Sequence, residues 1–180
     1  MTLAANHTGH PAIETERLRL RAFRPGDDAA MIAFYASESS AFYGGPCEAN
    51  DAWRKAAVYP GHWALRGYGP FALEERASGR FVGLCGPWFP LGFPEPEITW
   101  MLVEDARGQG FAVEAARAAL AFAYATLGWV RAVSCINPDN TPSLRLAERL
   151  GAVHEYDTAV GSTPVGVWRH AVPAALETSP

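Results

Sequence analysis

The stretch EITWMLVEDARGQGFAVEA, residues 97–115, decides the fold. It begins with alternating side chains, in which Ile98, Trp100 and Leu102 point one way and the residues between them point the other way, as in a strand. A glycine-containing loop over residues 107–112 then leads into apolar side chains at helical spacing, over about residues 110–127. The sequence therefore predicts a strand, a tight loop and a long helix near the middle of the chain.

The chemistry of this loop points to a phosphate group. Its two glycines allow the backbone to turn tightly, and the free N–H groups and dipole of the following helix attract an anion. A P-loop requires GxxxxGK[ST], and the lysine is missing. A dinucleotide-binding fingerprint would require Gly or Ala where Val113 stands. The pattern fits [QR]-x-x-G-x-[GA] instead, through Arg107, Gly110 and Ala112.

Taken together with the rest of the chain, this strand–loop–helix unit predicts an α/β protein with a mixed sheet flanked by helices, in the order β-α-α-β-β-β-α-β-α-β-β. Residues 17–23 alternate like a half-buried strand, with Arg21 on the polar face, and Pro60-Gly61 stops or bends a second helix that begins near residue 49. We expect residues 1–12 to be a flexible tail, residues 13–173 a single domain and residues 174–180 a second tail.

Composition excludes several classes of protein. The chain has 180 residues, of which 49% are hydrophobic and 19% charged, as expected for one folded domain. A net charge of −4 argues against a nucleic-acid partner. Three cysteines without a CxxC pair argue against a disulfide framework or a zinc site. With no apolar run of membrane-spanning length and no signal-peptide pattern, we expect a cytoplasmic protein with no membrane partner.

These segments resemble the GNAT superfamily of acyl-CoA-dependent N-acetyltransferases. The loop is similar to the family's pyrophosphate loop for coenzyme A, and the stretch 140–152, with Asn140-Thr141-Pro142-Ser143 followed by AERLGA, is similar to its second cofactor segment. The stretch 18–31, LRLRAFRPGDDAAM, resembles its first strand and helix. The resemblance covers residues 18–156, and within the superfamily it is strongest to the ribosomal-protein N-terminal acetyltransferases and their small-molecule relatives.

The resemblance implies a mostly antiparallel sheet, acetyl-CoA as co-substrate and no metal. It assigns the pyrophosphate to the amides of Gln109, Gly110, Phe111 and Ala112, and the pantetheine arm to the backbone of Met101, Leu102 and Val103. Asn140 would bond to the pantetheine or to a neighbouring strand. Arg107 is either a phosphate ligand or a solvated loop residue.

The resemblance also suggests the catalytic groups. Glu97 is the candidate base for the acceptor amine, the alternative being a solvated carboxylate at a strand edge. Many family members protonate the departing sulfur with a tyrosine where this chain has Ala147. In the ribosomal-type branch a serine one turn earlier is the proposed substitute, here Ser143, whose alternative role is helix capping.

Three functions are weighed on this basis. The first is transfer of an acetyl group to a primary amine, on a protein N-terminus or a small molecule, by direct attack in a ternary complex. The second is a non-catalytic acyl-CoA-binding or sensing module, which the alanine at position 147 favours. The third is a nucleotide-binding domain that uses the same glycine loop. Family members are often dimers, so the resemblance also raises a homodimer.

Overall fold

A mixed β-sheet forms the centre of the protein. The computed structural model describes residues 3–5 and 9–172. Within them nine strands pair in the order β1-β2-β3-β4-β5-β6-β7-β9-β8. Neighbouring strands are antiparallel except β6 and β7, which are parallel. The strands are β1 (Leu3–Ala5), β2 (Pro11–Glu14), β3 (Leu18–Arg21), β4 (Phe71–Glu75), β5 (Phe81–Trp88), β6 (Glu97–Leu102), β7 (Val133–Ile136), β8 (Val153–Val160) and β9 (Thr163–Arg169).

Helices pack on both faces of this sheet. They are α1 (Asp27–Tyr35), α2 (Ala49–Arg66), α3 (Phe111–Ala125) and α4 (Thr141–Arg149), with short 3-10 helices at Glu38–Tyr43 and Glu104–Ala106. Ile98 and Trp100 of β6 pack with α3 and α4 in the larger core cluster. Met101 packs with α1 and α2 in the second cluster. Both faces of β6 are therefore covered, which explains why so few of its side chains are polar.

The predicted order of elements is confirmed from β3 onward, together with the mostly antiparallel sheet. The structure differs from the prediction of a tail over residues 1–12, because Leu3–Ala5 and Pro11–Glu14 extend the sheet edge as β1 and β2. Backbone pairing rather than side-chain alternation creates these short strands, and in β2 the side chains of Ala12 and Ile13 are buried. The predicted tail at 174–180 lies outside the described residues.

One further expectation needs correction, and another is narrowed to one alternative. Arg21 lies buried rather than on a polar face, because its guanidinium bonds to Asp27 of α1 and Glu74 of β4, at 2.7 and 2.8 Å. The second helix does not stop at Pro60-Gly61 but runs on to Arg66. Neither result changes the layering of helices on the sheet.

Candidate active site

The sheet opens between β6 and β7. These parallel strands pair at one position, Glu97 with Val133, and separate beyond it. On its other side β6 pairs with β5 along its whole length. The N–H of Val103 donates to the carbonyl of Val82 on β5. Because the backbone N–H and C=O groups of successive residues point to alternate sides of a strand, those of Met101 also point toward β5. The polar groups of Trp100 and Leu102 therefore face the gap.

The predicted pantetheine contacts stay a prediction, and the geometry shows where their backbone groups point. Of the three residues named from the sequence, Leu102 presents its backbone to the gap, whereas Met101 and Val103 direct theirs toward β5, and Trp100 faces the gap beside Leu102. In the structure the two gap-facing carbonyls accept side-chain donors. The hydroxyl of Tyr43 donates to Trp100 O at 3.0 Å, and Nε of Arg107 donates to Leu102 O at 3.3 Å. The gap thus offers a strand edge that an extended amide-bearing ligand can join.

The glycine loop lies at the end of this gap, where α3 begins. Gly108 and Gly110 have φ angles of 75° and 83°, in the left-handed region that favours glycine. Both line a cavity of about 460 Å³ together with Arg107 and Ala112. The side chains of Gln109 and Phe111 point elsewhere, since Gln109 bonds to Asp105 O at 2.8 Å and Phe111 is buried in the core. The backbone amides of Gln109 and Phe111, rather than their side chains, are therefore available for the predicted binding of the pyrophosphate.

Helix α4 forms the opposite wall. Asn140 is its N-cap, and Asn140 Oδ1 accepts a hydrogen bond from the N–H of Ser143 at 3.3 Å. Ser143 faces both this cavity and a second one. Ala147 is fully buried in the core and lines neither cavity, so this position supplies no polar group to the site.

The second cavity, of about 280 Å³, holds Glu97. Its carboxylate is 4% exposed and accepts a hydrogen bond at 2.9 Å from the N–H of Cys135 on β7. Burial raises the pKa of Glu97 to about 7, against the smaller lowering effect of that N–H. Glu97 is therefore not the solvated strand-edge carboxylate weighed as the alternative. It is a buried group that can hold or release a proton near neutral pH.

The two cavities meet at a common wall formed by Phe42, Tyr43, Trp100, Asn140 and Ser143. At this junction the indole N–H of Trp100 donates to Ser143 Oγ at 3.1 Å. Burial raises the pKa of Tyr43 to about 12, although the hydroxyl of Ser143 and the charge of Arg107 act in the opposite direction. Two hydroxyl groups that stay protonated thus lie where one cavity passes into the other.

Several site residues were not identified from the sequence. Phe42 and Tyr43 belong to the 3-10 helix between α1 and α2, a segment without periodicity that gives no signal. Arg145 and Arg149 lie one turn apart on α4 and line the larger cavity beside Arg107. Their i, i+4 spacing places them on one face of the helix, and this signal was available in the sequence.

His62 and Glu95 have structural roles. Both ring nitrogens of His62 are bonded to backbone, at Tyr68 O and Phe89 N. Glu95 pairs with Arg169 at 2.8 Å. Within residues 3–5 and 9–172, no cluster of three or more His, Cys, Asp or Glu side chains is placed to hold a metal ion. No helix in that part of the chain has the length and apolar character to cross a membrane.

Comparison with known proteins agrees with this geometry. The family model described as an acetyltransferase (GNAT) domain matches residues 17–153. An acetyltransferase from Agrobacterium tumefaciens is 31% identical, with a TM-score of 0.84 over 91% of this chain and 95% of that one. The uncharacterized protein YkkB of Bacillus subtilis is 27% identical, over 86% of this chain and 92% of its own length.

A more distant likeness concerns the fold alone. A spermidine N-acetyltransferase from Vibrio cholerae, solved in complex with CoA and spermine, is 18% identical, with a TM-score of 0.70. The match covers 92% of this chain and all of that one.

Proposed function

The chain belongs to the GNAT family of acetyltransferases and is an acetyl-CoA-dependent N-acetyltransferase, and we propose that it acetylates a primary amine by direct attack in a ternary complex. The observation that carries this proposal is the junction of the two cavities. One cavity contains the glycine loop and the open edge of β6, the other contains a buried carboxylate, and Ser143 lines both. Two substrates can therefore meet without either leaving its own site.

The donor side fits acetyl-CoA, the substrate that supplies the acetyl group. The three arginines Arg107, Arg145 and Arg149 line the larger cavity, next to glycines whose backbone is free to approach a phosphate. The gap-facing backbone of Trp100 and Leu102 would hold the extended pantetheine arm. Tyr43 and Arg107 now donate to these two carbonyls, so on binding of the arm their side chains would either move aside or share the carbonyl oxygens with it.

Glu97 would act as the base. An amine enters as an ammonium, and attack requires that it lose a proton. With a pKa of about 7, Glu97 is largely a carboxylate at pH 8 and can accept that proton, directly or through a water. The nitrogen then forms a bond to the thioester carbon and releases its second proton to solvent, and the bond from that carbon to sulfur breaks.

Ser143 would stabilise the departing sulfur. The thiolate has an intrinsic pKa near 8.5, well below that of an alcohol, so a serine donates a hydrogen bond to it rather than a proton. Because Ser143 Oγ already accepts from Trp100, its own hydrogen is free to be donated elsewhere. Tyr43, with a pKa of about 12, would act in the same way. The free thiol forms later, by protonation from solvent.

An acyl-enzyme intermediate is disfavoured. Among the described residues, Cys135 is the thiol that lines the second cavity, in which the acceptor amine would bind and which is called the acceptor cavity below. Burial, and then the charge of Glu97, raises the pKa of this thiol above its ordinary value. The nucleophilic thiolate is therefore scarce at neutral pH, and direct attack by the amine is the simpler route.

The serine at the junction also favours the branch of ribosomal-protein acetyltransferases and their small-molecule relatives, since the position of the more usual tyrosine is a buried alanine. The experiment that tests the function is a free-thiol assay with acetyl-CoA and a panel of primary amines. We expect thiol release that depends on both substrates. Binding of acetyl-CoA without release by any amine would support the non-catalytic alternative. Competition by ATP for the acetyl-CoA site would support the nucleotide-binding alternative.

A further inference from the structure

The acceptor cavity has one carboxylate and many aromatic walls. Among the described residues that line it, Glu97 is the single acidic side chain, and Arg, Lys and His are absent. Seven of the lining residues are aromatic: Tyr35, Phe42, Tyr43, Tyr59, Trp88, Phe93 and Trp100. Resting on the proposed function, we propose that the acceptor is a compact primary amine with one positive charge and an apolar body, rather than a polyamine or an amino sugar.

Charge supports this choice. A single ammonium can pair with Glu97 and lie against aromatic faces, which attract cations. A second ammonium in the same cavity would be buried without a carboxylate, which is costly. The charged groups near the cavity do not offset the cost of burying this second ammonium. Lys55 Nζ lies 5.8 Å from the ring centroid of Tyr35, and Glu95 is already paired with Arg169 and Arg131.

Most hydroxyl hydrogens of the aromatic walls are already used. The hydroxyls of Tyr35 and Tyr59 bond to each other at 2.9 Å, which occupies one of their two hydrogens, and that of Tyr43 donates to Trp100 O or, in the proposed mechanism, to the departing sulfur. Trp88 is held face-on by His62, with ring centroids 4.6 Å apart. These aromatic walls therefore present mainly ring surface, and polar side chains such as Thr99, Asn137 and Thr163 form only part of the lining. An amino sugar, which carries many hydroxyls, would lose more bonds to water than these few groups can replace.

Size points in the same direction. A volume of about 280 Å³ lies just below the roughly 300–1,000 Å³ found for small-molecule sites. The β8–β9 hairpin contributes Val160, Thr163 and Val165 to the far wall. A body of six to ten carbon atoms, aromatic or aliphatic, suits such a space better than a long chain with several amines.

The test compares amines of equal length that differ by one charge. With acetyl-CoA saturating at pH 8, thiol release is measured for hexylamine, phenethylamine, 1,6-diaminohexane, spermidine, an aminoglycoside and a tripeptide with N-terminal Phe. We expect kcat/KM for hexylamine and phenethylamine to exceed that for 1,6-diaminohexane at least tenfold. Equal or better rates with a diamine, spermidine, the aminoglycoside or the tripeptide would overturn the inference.

Calorimetry with the CoA-bound enzyme separates this inference from the proposed function. If no amine releases thiol but hexylamine still binds at least tenfold more tightly than 1,6-diaminohexane, the proposed function fails and the inference holds. If neither amine binds, or both bind equally, the inference fails whatever the turnover.

A gain-of-function variant sharpens the test. Phe93 is a half-buried wall residue in the loop before β6, so it tolerates a polar substitution. Phe93→Glu adds the missing second carboxylate and should raise the rate with 1,6-diaminohexane relative to hexylamine at least fivefold. Phe93→Gln, of the same size but uncharged, is the matched control and should keep the wild-type preference. An identical shift in both variants would show that charge does not set the preference.

Discussion

The indole N–H of Trp100 donates a hydrogen bond to the hydroxyl of Ser143 across 3.1 Å. Trp100 lies on the strand whose open edge faces the donor site, and Ser143 lies in the first turn of α4 on the other side of the gap. The bond therefore joins the two walls of the site. It also fixes the direction of the serine hydroxyl, because an oxygen that accepts from Trp100 must direct its own hydrogen elsewhere.

Replacing Ser143 with alanine should affect both turnover and stability. Loss of one hydrogen-bond donor to the developing charge should lower kcat about 10- to 100-fold, with little change in the KM for acetyl-CoA. The buried indole N–H loses its acceptor, which should cost about 1–3 kcal/mol of unfolding free energy. Denaturant melts of S143A, W100F and the double variant form a cycle that measures this coupling. Additive losses in the cycle would contradict the bond, and a wild-type kcat for S143A would contradict the catalytic role.

The pH dependence of the rate should report the titration of Glu97. Because the base works as a carboxylate, kcat/KM for the amine should rise with pH through a pKa of about 7. Glu97→Gln should lose this limb of the profile and lower kcat about 100-fold or more, while the Kd for acetyl-CoA stays within about threefold. The same amine is used for both enzymes, so the titration of the amine cancels. An unchanged limb near pH 7 in the variant would assign it to another group.

The same residue should make folding stability depend on pH. The pKa of Glu97 is raised in the folded protein, from 4.5 to about 7, so the folded state binds its proton more tightly than the unfolded state. This contribution to stability is fully present below pH 4.5 and is lost as the pH rises through 7, a change of about 3 kcal/mol. Glu97→Gln should remove that dependence and be more stable than wild type at pH 8. The check is a set of denaturant melts at pH 5, 6, 7 and 8, in which parallel curves for the two proteins would contradict it.

The arginine pair on α4 should set the affinity for the donor. Replacing Arg145 and Arg149 together with alanine should raise the KM for acetyl-CoA about tenfold or more, since charge-assisted bonds to phosphate are lost. The KM for the amine should stay nearly constant, because neither residue lines the acceptor cavity. Arg54→Ala, an exposed substitution on α2 that also removes a positive charge, is the control and should leave both constants unchanged. An equal effect of the control would indicate a general effect of net charge.

Cys135 should be dispensable for acetyl transfer. Cys135→Ala should keep kcat within about threefold, and initial-rate plots against both substrates should intersect, as required by a ternary complex. The N–H that supports Glu97 belongs to the backbone and survives the substitution. Parallel lines in the wild-type plots, together with loss of activity in C135A, would indicate an acyl-cysteine intermediate.

Much of this fold can be read from side-chain periodicity and turn residues. From β3 onward every helix and strand follows such a pattern, and the glycine loop before α3 carries its own chemical signature. The edge strands β1 and β2 do not, because they depend on backbone pairing with the rest of the sheet. Arg21 shows the same limit, since its burial depends on carboxylates 6 and 53 residues away.

The site could be predicted only where it is local in sequence. Glu97 and Ser143 are candidates from the sequence, and in the structure they line one cavity. The direction of the backbone groups along β6 could not be predicted, because which groups of a strand face outward depends on its register with β5. Tyr43 gave no signal at all, since it comes from an aperiodic turn that reaches β6 through tertiary packing.

The turn that carries Phe42 and Tyr43 belongs to both cavities at once. A shift of this turn on binding of the donor would change the free energy with which the acceptor binds, and by linkage the reverse effect would be of equal size. Movement of Tyr43 as the pantetheine arm binds would be such a shift. One short helix therefore gives the coenzyme A site and the amine site a route by which occupation of one can alter the affinity of the other.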